Sequence, residues 1–165
     1  MTKSNIPERE LRHAMGSFTT GVCVIGATRE DGAPIGMTVN SFSSVSLSPP
    51  LILVCLGADA PRSQAIIAAE RFTISVLSQN HETLSNHFAC PGEGLVPEGA
   101  WTAGENGAPL ITGAVATFEC DLDTTHQSGD HVIVIGRVTQ VVTADERQPL
   151  LYFRGAYRQL GSQAG

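Results

Sequence analysis

The 165-residue sequence has little positive charge and few aromatic side chains. Lys3 is the only lysine, the formal net charge is −6, and aromatic residues make up 5% of the chain. Such a chain cannot neutralise a row of phosphates, which argues against nucleic acid and against an anionic membrane surface as partners. No apolar run approaches the roughly 20 residues of a membrane-spanning helix, and the first ten residues lack the apolar core of a signal peptide. We therefore expect a cytoplasmic protein that binds neither nucleic acid nor membrane.

The common catalytic and metal-binding motifs are missing as well. There is no Gly-x-Gly-x-x-Gly, no phosphate-binding P-loop and no Gly-x-Ser-x-Gly nucleophile elbow. His81 and His87 are six residues apart, and no histidine has a cysteine or carboxylate partner at metal-ligand spacing, so we expect no metal site. No Cys-x-x-Cys is present, and we expect reduced, mostly buried thiols at Cys23, Cys55, Cys90 and Cys120.

What the chain does have is enough apolar sequence for one packed domain. Apolar residues make up 42% of the chain, and a chain of 165 residues fits one domain without disulfide or metal support. We expect a single domain over residues 1–165, with an ordered core at about 8–160 and a short tail at 1–6.

Hydrophobic periodicity predicts more strand than helix. Six strands with turn signals and only three short helices do not fit a βαβ sheet, and they favour a barrel. A long irregular segment at 91–109 is rich in Gly, Pro and Glu, which is typical of a functional loop or lid. The predicted strands are 21–28, 37–47, 51–56, 72–77, 115–123 and 131–142, with a short one within 149–160, and the predicted helices are 7–18, 60–71 and 79–90.

The stretch Gly36–Ser46 stands out because it carries hydroxyl and amide side chains on both faces of a predicted barrel strand. A strand that buries one face should not place small polar groups on both. One interpretation is an exposed, serine-rich edge. The other is a ligand with many hydrogen-bonding atoms that lies along the strand, held by hydroxyls and backbone N–H groups.

A second candidate site lies where the strand 51–56 connects to the helix 60–71. Asp59 is a plausible N-cap and Pro61 suits the first helical turn. A helix start presents N–H groups and the positive end of the dipole, which suit a phosphate, and Arg62 and Ser63 could add contacts there. The alternative is an ordinary capped helix with a solvated arginine.

Taken together and in this order, these residues resemble the flavin reductase-like family, the small reductase components of two-component flavin-dependent monooxygenases, which are built on an FMN-binding split barrel. The resemblance covers roughly residues 8–160. The long central motif is specific in combination with the later Gly-Asp-His, whereas any single piece would be weak. The matching segments are Leu11–Met15, Thr20–Val22, Gly36–Pro50, Arg71-Phe72, His87–Ala89, Pro109-Leu110, Gly129–His131 and Pro149–Gly155.

The resemblance implies a mainly β fold, a six-stranded Greek-key split β-barrel with a few flanking α-helices. It also implies a homodimer with flavin near the subunit interface. The cofactors would be FMN or FAD together with NADH or NADPH, and reduced flavin would diffuse to a separate flavin-dependent monooxygenase. The resemblance decides neither which flavin nor which nicotinamide is preferred.

The same resemblance implies the roles of individual residues. Ser41, Arg62 and Ser63 would lie near the flavin phosphate, without help from any lysine. Phe88 and Ala89 would border the pocket, Tyr157 would close it, and His131 would face the nicotinamide as the catalytic residue. From the residues alone, an ordinary surface histidine at a strand end is the favoured interpretation of His131, and the Gly-Asp-His match reverses that preference. The flavin would lie against Gly36, Met37, Thr38, Val39, Asn40, Ser41, Ser43, Ser44 and Val45, with Cys55 and Leu56 beside the ring.

Two other function classes stay open at this point. One is an oxidase or oxygenase on the same barrel that retains its flavin and acts on an organic substrate. The other is a non-catalytic module that only binds flavin or haem. In the preferred reductase no side chain needs to be a nucleophile, since the cofactor would carry the chemistry, and this accounts for the absence of a catalytic triad.

Overall fold

The computed structural model describes residues 6–92 and 94–161. The predicted tail at 1–6, which includes Lys3, therefore lies outside the described residues except for Ile6. Glu93, within the predicted loop at 91–109, lies outside them as well. The helices are α1 (Glu8–Met15), α2 (Pro61–Ala68) and α3 (Glu82–Ala89), and a 3-10 turn at Gln79–His81 precedes α3. The strands are β1 (Thr20–Gly21), β2 (Cys23–Thr28), β3 (Pro34–Val39), β4 (Ser43–Leu47), β5 (Pro50–Gly57), β6 (Arg71–Val76), β7 (Trp101–Ala103), β8 (Pro109–Ile111), β9 (Ala116–Ser128), β10 (His131–Thr143), β11 (Leu151–Phe153) and β12 (Ala156–Arg158).

Most strands join one antiparallel sheet in the order β3-β2-β6-β9-β10-β5-β4. Alternate residues of β5 face the core, and Ile52, Val54 and Leu56 are each no more than 5% exposed. β2 is buried on both faces, because the sheet curves around one apolar cluster while a second cluster covers its other side. The expectation of a mainly β fold with a few helices is confirmed.

The prediction of one continuous strand over residues 37–47 is wrong. The chain breaks at Asn40–Phe42 into β3 and β4, and for that reason the main sheet has seven strands where six were expected. The break has a clear physical cause. Ser41 Oγ accepts the backbone N–H of Cys55 at 2.9 Å and donates to its carbonyl at 3.2 Å, which fixes the corner against β5.

The segment 91–109 is more ordered than its composition predicts. The N–H of Gly36 donates to Gly94 O at 2.8 Å and the N–H of Val96 donates to Pro34 O at 3.0 Å, so residues 94–96 cover the outer edge of β3. Further on, β7 and β8 form a short hairpin. The buried carboxylate of Glu119 accepts two N–H groups from the connection between them.

A small sheet with the order β1-β11-β12 closes one side of the molecule. The predicted single strand within 149–160 is thus two short strands joined by a tight turn. Phe88 of α3 and Leu150 are at most 1% exposed in the second apolar cluster, against which Tyr152 and Tyr157 pack. α3 is therefore held between the small sheet and β3.

Helix α1 is different, because it has no buried residue. Its apolar side chains Leu11 and Met15 are 47% and 59% exposed, and Phe18, just beyond it, is 79% exposed. No helix within residues 6–92 and 94–161 is long and apolar enough to cross a bilayer.

The cysteines are all free thiols. Burial raises the pKa of Cys23 and of Cys120 to about 12, so both thiols stay protonated at neutral pH. Cys55 is half-buried and Cys90 is exposed, which departs from the expectation for a mostly buried set.

Candidate functional site

β3 is backed by α3 along the part of the chain that was predicted to hold a ligand. A Cβ atom on Gly36 would lie 2.9 Å from Phe88 Cε1, which is too close for any residue but glycine. Thr38 Oγ1 donates to the Ser85 carbonyl at 2.7 Å. Strand and helix therefore form one rigid wall.

Arg62, from the first turn of α2, reaches this wall. Its guanidinium donates to Gly36 O at 3.2 Å, to Phe88 O at 2.9 Å and to Cys90 O at 2.5 Å. The side chain that was predicted to contact a phosphate is thus engaged with three backbone carbonyls.

The start of α2 has polar groups that need partners. The N-cap is Ala60 and not the predicted Asp59, and it gives the helix no side-chain cap. The expectation of an Asp59 cap is wrong, because the helix begins one residue later than that cap requires. Ser63 is 1% exposed, and its Oγ has no hydrogen-bond partner within the described residues. An unsatisfied buried hydroxyl costs about 1–3 kcal/mol, and a polar ligand atom at the helix start would remove that cost.

The predicted ligand residues on β4 and β5 lie in contrasting places. Ser43, Ser44 and Val45 are exposed on the edge strand β4, where Ser43 Oγ donates to the neighbouring Ser44 carbonyl. Leu56 is 1% exposed in the core, which leaves its backbone, and not its side chain, to meet a ligand. Val39 and Met37 also face the core, whereas Asn40 is exposed at the corner.

A cavity of about 300 Å³ brings several predicted residues together between β3, α3 and the small sheet. The Tyr157 hydroxyl lies 2.8 Å from Ser85 Oγ and 3.1 Å from Asn86 Oδ1, and its ring meets Tyr152 edge-on at 5.4 Å between centroids. Tyr157 is therefore a fixed wall of the cavity. The lining residues are Val22, Thr38, Val39, Asn40, Ser85, Asn86, Ala89, Tyr152, Gly155 and Tyr157.

A larger and more open groove of about 920 Å³ lies between the β2–β3 turn and α2. It is lined by Arg29 and Asp31, which form an ion pair, and by alanines of α2. None of the predicted ligand residues lines it. We therefore place the candidate site on the β3 side.

His131 begins β10 and lies opposite Gly57, the last residue of β5. Its Nδ1 is 2.7 Å from Asp130 Oδ1, and the imidazole is 50% exposed. This hydrogen bond is the main reason that the pKa of Asp130 is lowered. The N–H of Ala58 donates to Asp130 O at 2.9 Å, so the histidine turn is attached to the connection that leads into α2.

Three residues of this region were missed by the sequence reasoning. Ser85 is fully buried and lies three residues before Phe88, so a serine among the apolar positions of the predicted helix was a usable signal. Asn86 follows it and lines the cavity. Gly94 has a φ of +68° and packs against Arg62, but no local pattern in its segment indicates that contact.

Comparison with known proteins gives a consistent result. Residues 15–161 match the family model of the flavin reductase like domain. The chain is 43% identical to a probable flavin reductase of Rhizobium meliloti over 95% of its own length, but it spans only 50% of that relative. It is 41% identical to an NADH-dependent FAD reductase of Streptomyces globisporus, with 94% of this chain and 87% of the relative covered. It is also 40% identical to the reductase component of a flavin-dependent trigonelline monooxygenase of Acinetobacter baylyi, covering 90% of this chain and 48% of the relative.

Solved structures agree with the observed fold. The NADH:FAD oxidoreductase of Streptomyces globisporus C-1027, in complex with NAD and FAD fragments, has a TM-score of 0.90 and 40% identity over 96% of this chain and 95% of that one. The flavin reductase component of a bacterial two-component tryptophan halogenase has a TM-score of 0.88 and 37% identity over 95% of this chain and 100% of that one.

Proposed function

The chain belongs to the flavin reductase-like family, and we propose that it reduces FMN or FAD with NADH or NADPH and supplies the reduced flavin to a separate flavin-dependent monooxygenase. The family resemblance seen in the sequence and the expected split barrel are confirmed. We further propose that residues 1–165 form a single domain, which the match over 15–161 supports. A cytoplasmic location, where both nicotinamide cofactors are available, is part of the same proposal.

The single observation that carries the flavin site is the buried Ser63 Oγ, which has no partner in residues 6–92 and 94–161 and lies at a helix start without a side-chain cap. Such a position suits a phosphate group, because the N–H groups of the first turn and the helix dipole favour an anion. The corner at Ser41 is hydrogen-bonded to Cys55 of β5, the strand that leads into α2. The residues present therefore fit a flavin phosphate without any lysine.

The isoalloxazine ring would lie against β3, between Gly36 and Ser41, with Ala89 and Tyr157 bordering it. Along this stretch the chain offers small hydroxyls, the Asn40 amide and little side-chain bulk, which suit the polar edge of a planar ring. A bound flavin supplies the redox chemistry as the acceptor of the nicotinamide hydride. The protein's part is to hold the rings in register and to keep the polar edge hydrogen-bonded.

His131 would orient the nicotinamide. It lies at the end of β10 beside the β5–α2 connection, and half of its imidazole surface faces solvent. Asp130 accepts a hydrogen bond from Nδ1–H in the neutral ring, which leaves Nε2 as an acceptor toward a ligand amide. In this role His131 contacts the substrate and moves no proton.

We propose that the protein works as a homodimer. Large apolar side chains are exposed on two surfaces, one at helix α1 and the residue just beyond it, and the other on the edge strand β4. Phe18 and Met15 are 79% and 59% exposed, and Leu47 and Val45 are 95% and 45% exposed. Apolar surface of this kind indicates a protein–protein interface, and a second copy of the chain would cover it.

A steady-state assay tests the proposed function. NADH and NADPH are each combined with FMN, FAD and riboflavin, and the loss of nicotinamide absorbance is followed with and without the protein. We expect protein-dependent oxidation of at least one nicotinamide that requires added flavin. Flavin binding without any nicotinamide oxidation would contradict the reductase and favour a binding module. Tightly held flavin with no nicotinamide oxidation would favour a flavin-retaining oxidase.

A further inference from the structure

We infer that Arg62 is a positioning residue, which shapes the flavin ring site by joining β3 to the end of α3 and does not serve as the phosphate ligand. The inference rests on the proposed function, since it concerns the binding of a flavin. It deepens that proposal by separating the roles of two adjacent residues, Arg62 and Ser63.

The hydrogen bonds of Arg62 lead away from the helix start that would hold the phosphate. Phe88 belongs to the last turn of α3 and Cys90 is its C-cap, so the two carbonyls that Arg62 binds there are among those that have no partner inside the helix. A cation at a helix C-terminus is also favoured by the dipole. The third carbonyl, that of Gly36, comes from β3. One guanidinium therefore joins the strand and the helix that form the wall of the ring site.

Packing around the aliphatic part of Arg62 fixes the side chain further. A Cβ on Gly94 would lie 2.4 Å from Arg62 Cδ and 2.6 Å from Gly36 O, so the backbone at Gly94 lies directly against both. The N–H of Gly36 in turn donates to Gly94 O at 2.8 Å. Arg62 thus lies beneath the segment that covers the edge of β3, and movement of its side chain would loosen that edge.

Lysine cannot replace this arrangement. The planar guanidinium directs several N–H groups in fixed directions, whereas a lysine ammonium is a compact point charge on a flexible stem. Arg62→Lys therefore keeps the positive charge near the helix start and loses the link between the carbonyls. If Arg62 bound the phosphate, lysine would retain much of its effect.

Comparison of FMN with riboflavin separates the two roles, because riboflavin has the same ring without the phosphate. Dissociation constants are measured by flavin fluorescence for the wild type, Arg62→Lys, Ser63→Ala and, as the control, Arg71→Lys at the exposed start of β6. We expect Arg62→Lys to raise the dissociation constants of FMN and riboflavin by the same factor, about tenfold, because hydrogen bonds of a charged group are lost. We expect Ser63→Ala to weaken FMN by about tenfold and riboflavin by less than about twofold, and Arg71→Lys to change neither.

Hydrogen exchange gives a second readout that does not depend on flavin. In Arg62→Lys the amides of residues 35–36 and 94–96 should exchange faster, while those of β9 and β10 stay protected. Gly94→Ala adds a Cβ against both Arg62 Cδ and Gly36 O, at a φ of +68°, without changing any charge. It disturbs the same edge and should also weaken the binding of both flavins equally, and it serves as the second variant if Arg62→Lys does not fold.

The inference is overturned if Arg62→Lys weakens FMN and leaves riboflavin unchanged, since that pattern belongs to a phosphate ligand. It is also overturned if exchange at residues 35–36 and 94–96 does not change. A wild-type protein that binds neither flavin would instead overturn the proposed function, and the exchange result would still decide whether Arg62 joins the two segments.

Discussion

The two halves of the stretch Gly36–Ser46 both carry small polar side chains but have opposite surroundings. The β3 half is backed by α3 through Gly36 and Thr38 and is covered along its edge by residues 94–96. The β4 half hydrogen-bonds to β5 within the described residues, and four of its five residues are exposed. Small polar side chains thus belong to a supported wall on β3, where Thr38 is the one hydroxyl, and to an open sheet edge on β4, where there are three serines.

This contrast teaches that small hydroxyls do not make a binding site by themselves. What matters is whether the backbone behind them is held rigidly, because a ring site needs fixed donors and acceptors. On this criterion we propose the β3 half as the flavin site. The β4 half, with Leu47 95% exposed, offers a surface that a second copy of the chain can cover.

The largest effect is expected from Gly36→Val, which attacks the supported half. The new Cβ would lie 2.9 Å from Phe88 Cε1 and 3.1 Å from Val24 Cγ1, and overpacking of this kind costs about 1–3 kcal/mol. We expect a lower melting temperature and flavin affinity reduced by more than about tenfold, measured by thermal unfolding and fluorescence titration. The matched control is Ser44→Val on β4, which should change stability by less than about 0.5 kcal/mol. If Gly36→Val and Ser44→Val lost stability and flavin affinity equally, the proposed difference between the β3 and β4 halves would be contradicted.

The next largest effect concerns the open half. Leu47→Asp places a charge on the proposed subunit interface and should raise the dimer dissociation constant by at least about tenfold, measured by sedimentation of the two proteins over a range of concentrations. Leu95→Asp is the control, because Leu95 is 45% exposed but lies on the β3 side. A wild-type protein that sediments as a monomer would contradict the proposed homodimer.

A smaller effect is expected from His131→Ala, which tests the nicotinamide role. The KM for the nicotinamide should rise by about five- to tenfold, while flavin affinity changes by less than about twofold. His126→Ala, at the exposed end of β9 beside it, is the control and should leave both constants unchanged. Equal effects on nicotinamide and flavin would contradict the assigned role.

The smallest expected effect is a dependence of the protein's stability on pH through His81, which directly precedes α3. His81 Nδ1 accepts the N–H of Ser78 at 3.2 Å, and burial is the main reason that the pKa of His81 is lowered. The folded state therefore binds a proton at His81 less readily than the unfolded chain, in which a histidine titrates at about pH 6.5. The stabilising contribution of neutral His81 is complete above that pH and is lost as the pH falls through the lowered pKa of the folded state.

We accordingly expect the melting temperature to fall from pH 7 to pH 5, in part through this residue. His81→Gln keeps the side-chain acceptor of a capping box and should remove that part of the decrease. His13→Gln, in the exposed helix α1, should leave the decrease as it is in the wild type. The account is contradicted if His81→Gln and the wild type lose the same amount.

Much of the fold could be predicted from the sequence, because strand periodicity and turn residues are local signals. The strands and helices that flank the site appear near their predicted positions, and the Gly-Asp-His turn begins β10 as expected. The break at Ser41 could not be predicted, since the alternation of the stretch continues through the corner and the cause is a bond to Cys55, fourteen positions along the chain.

The arrangement of the site could be predicted only in part for the same reason. The local sequence around Arg62 and Ser63 indicated a helix start suited to phosphate, but the carbonyls that Arg62 binds come from β3 and α3, 26 and 28 positions away in the chain. Covering of the β3 edge by Gly94–Val96 likewise depends on a long-range contact within a segment whose composition is typical of a loop.

The most direct test of the central claim is a crystal structure of the protein grown with excess FMN. We predict electron density for the ring against Gly36–Asn40 and for the phosphate at the start of α2, within hydrogen-bond distance of Ser63 Oγ. Density for FMN on the β4 edge or in the groove between the β2–β3 turn and α2, with the β3 wall empty, would contradict the account.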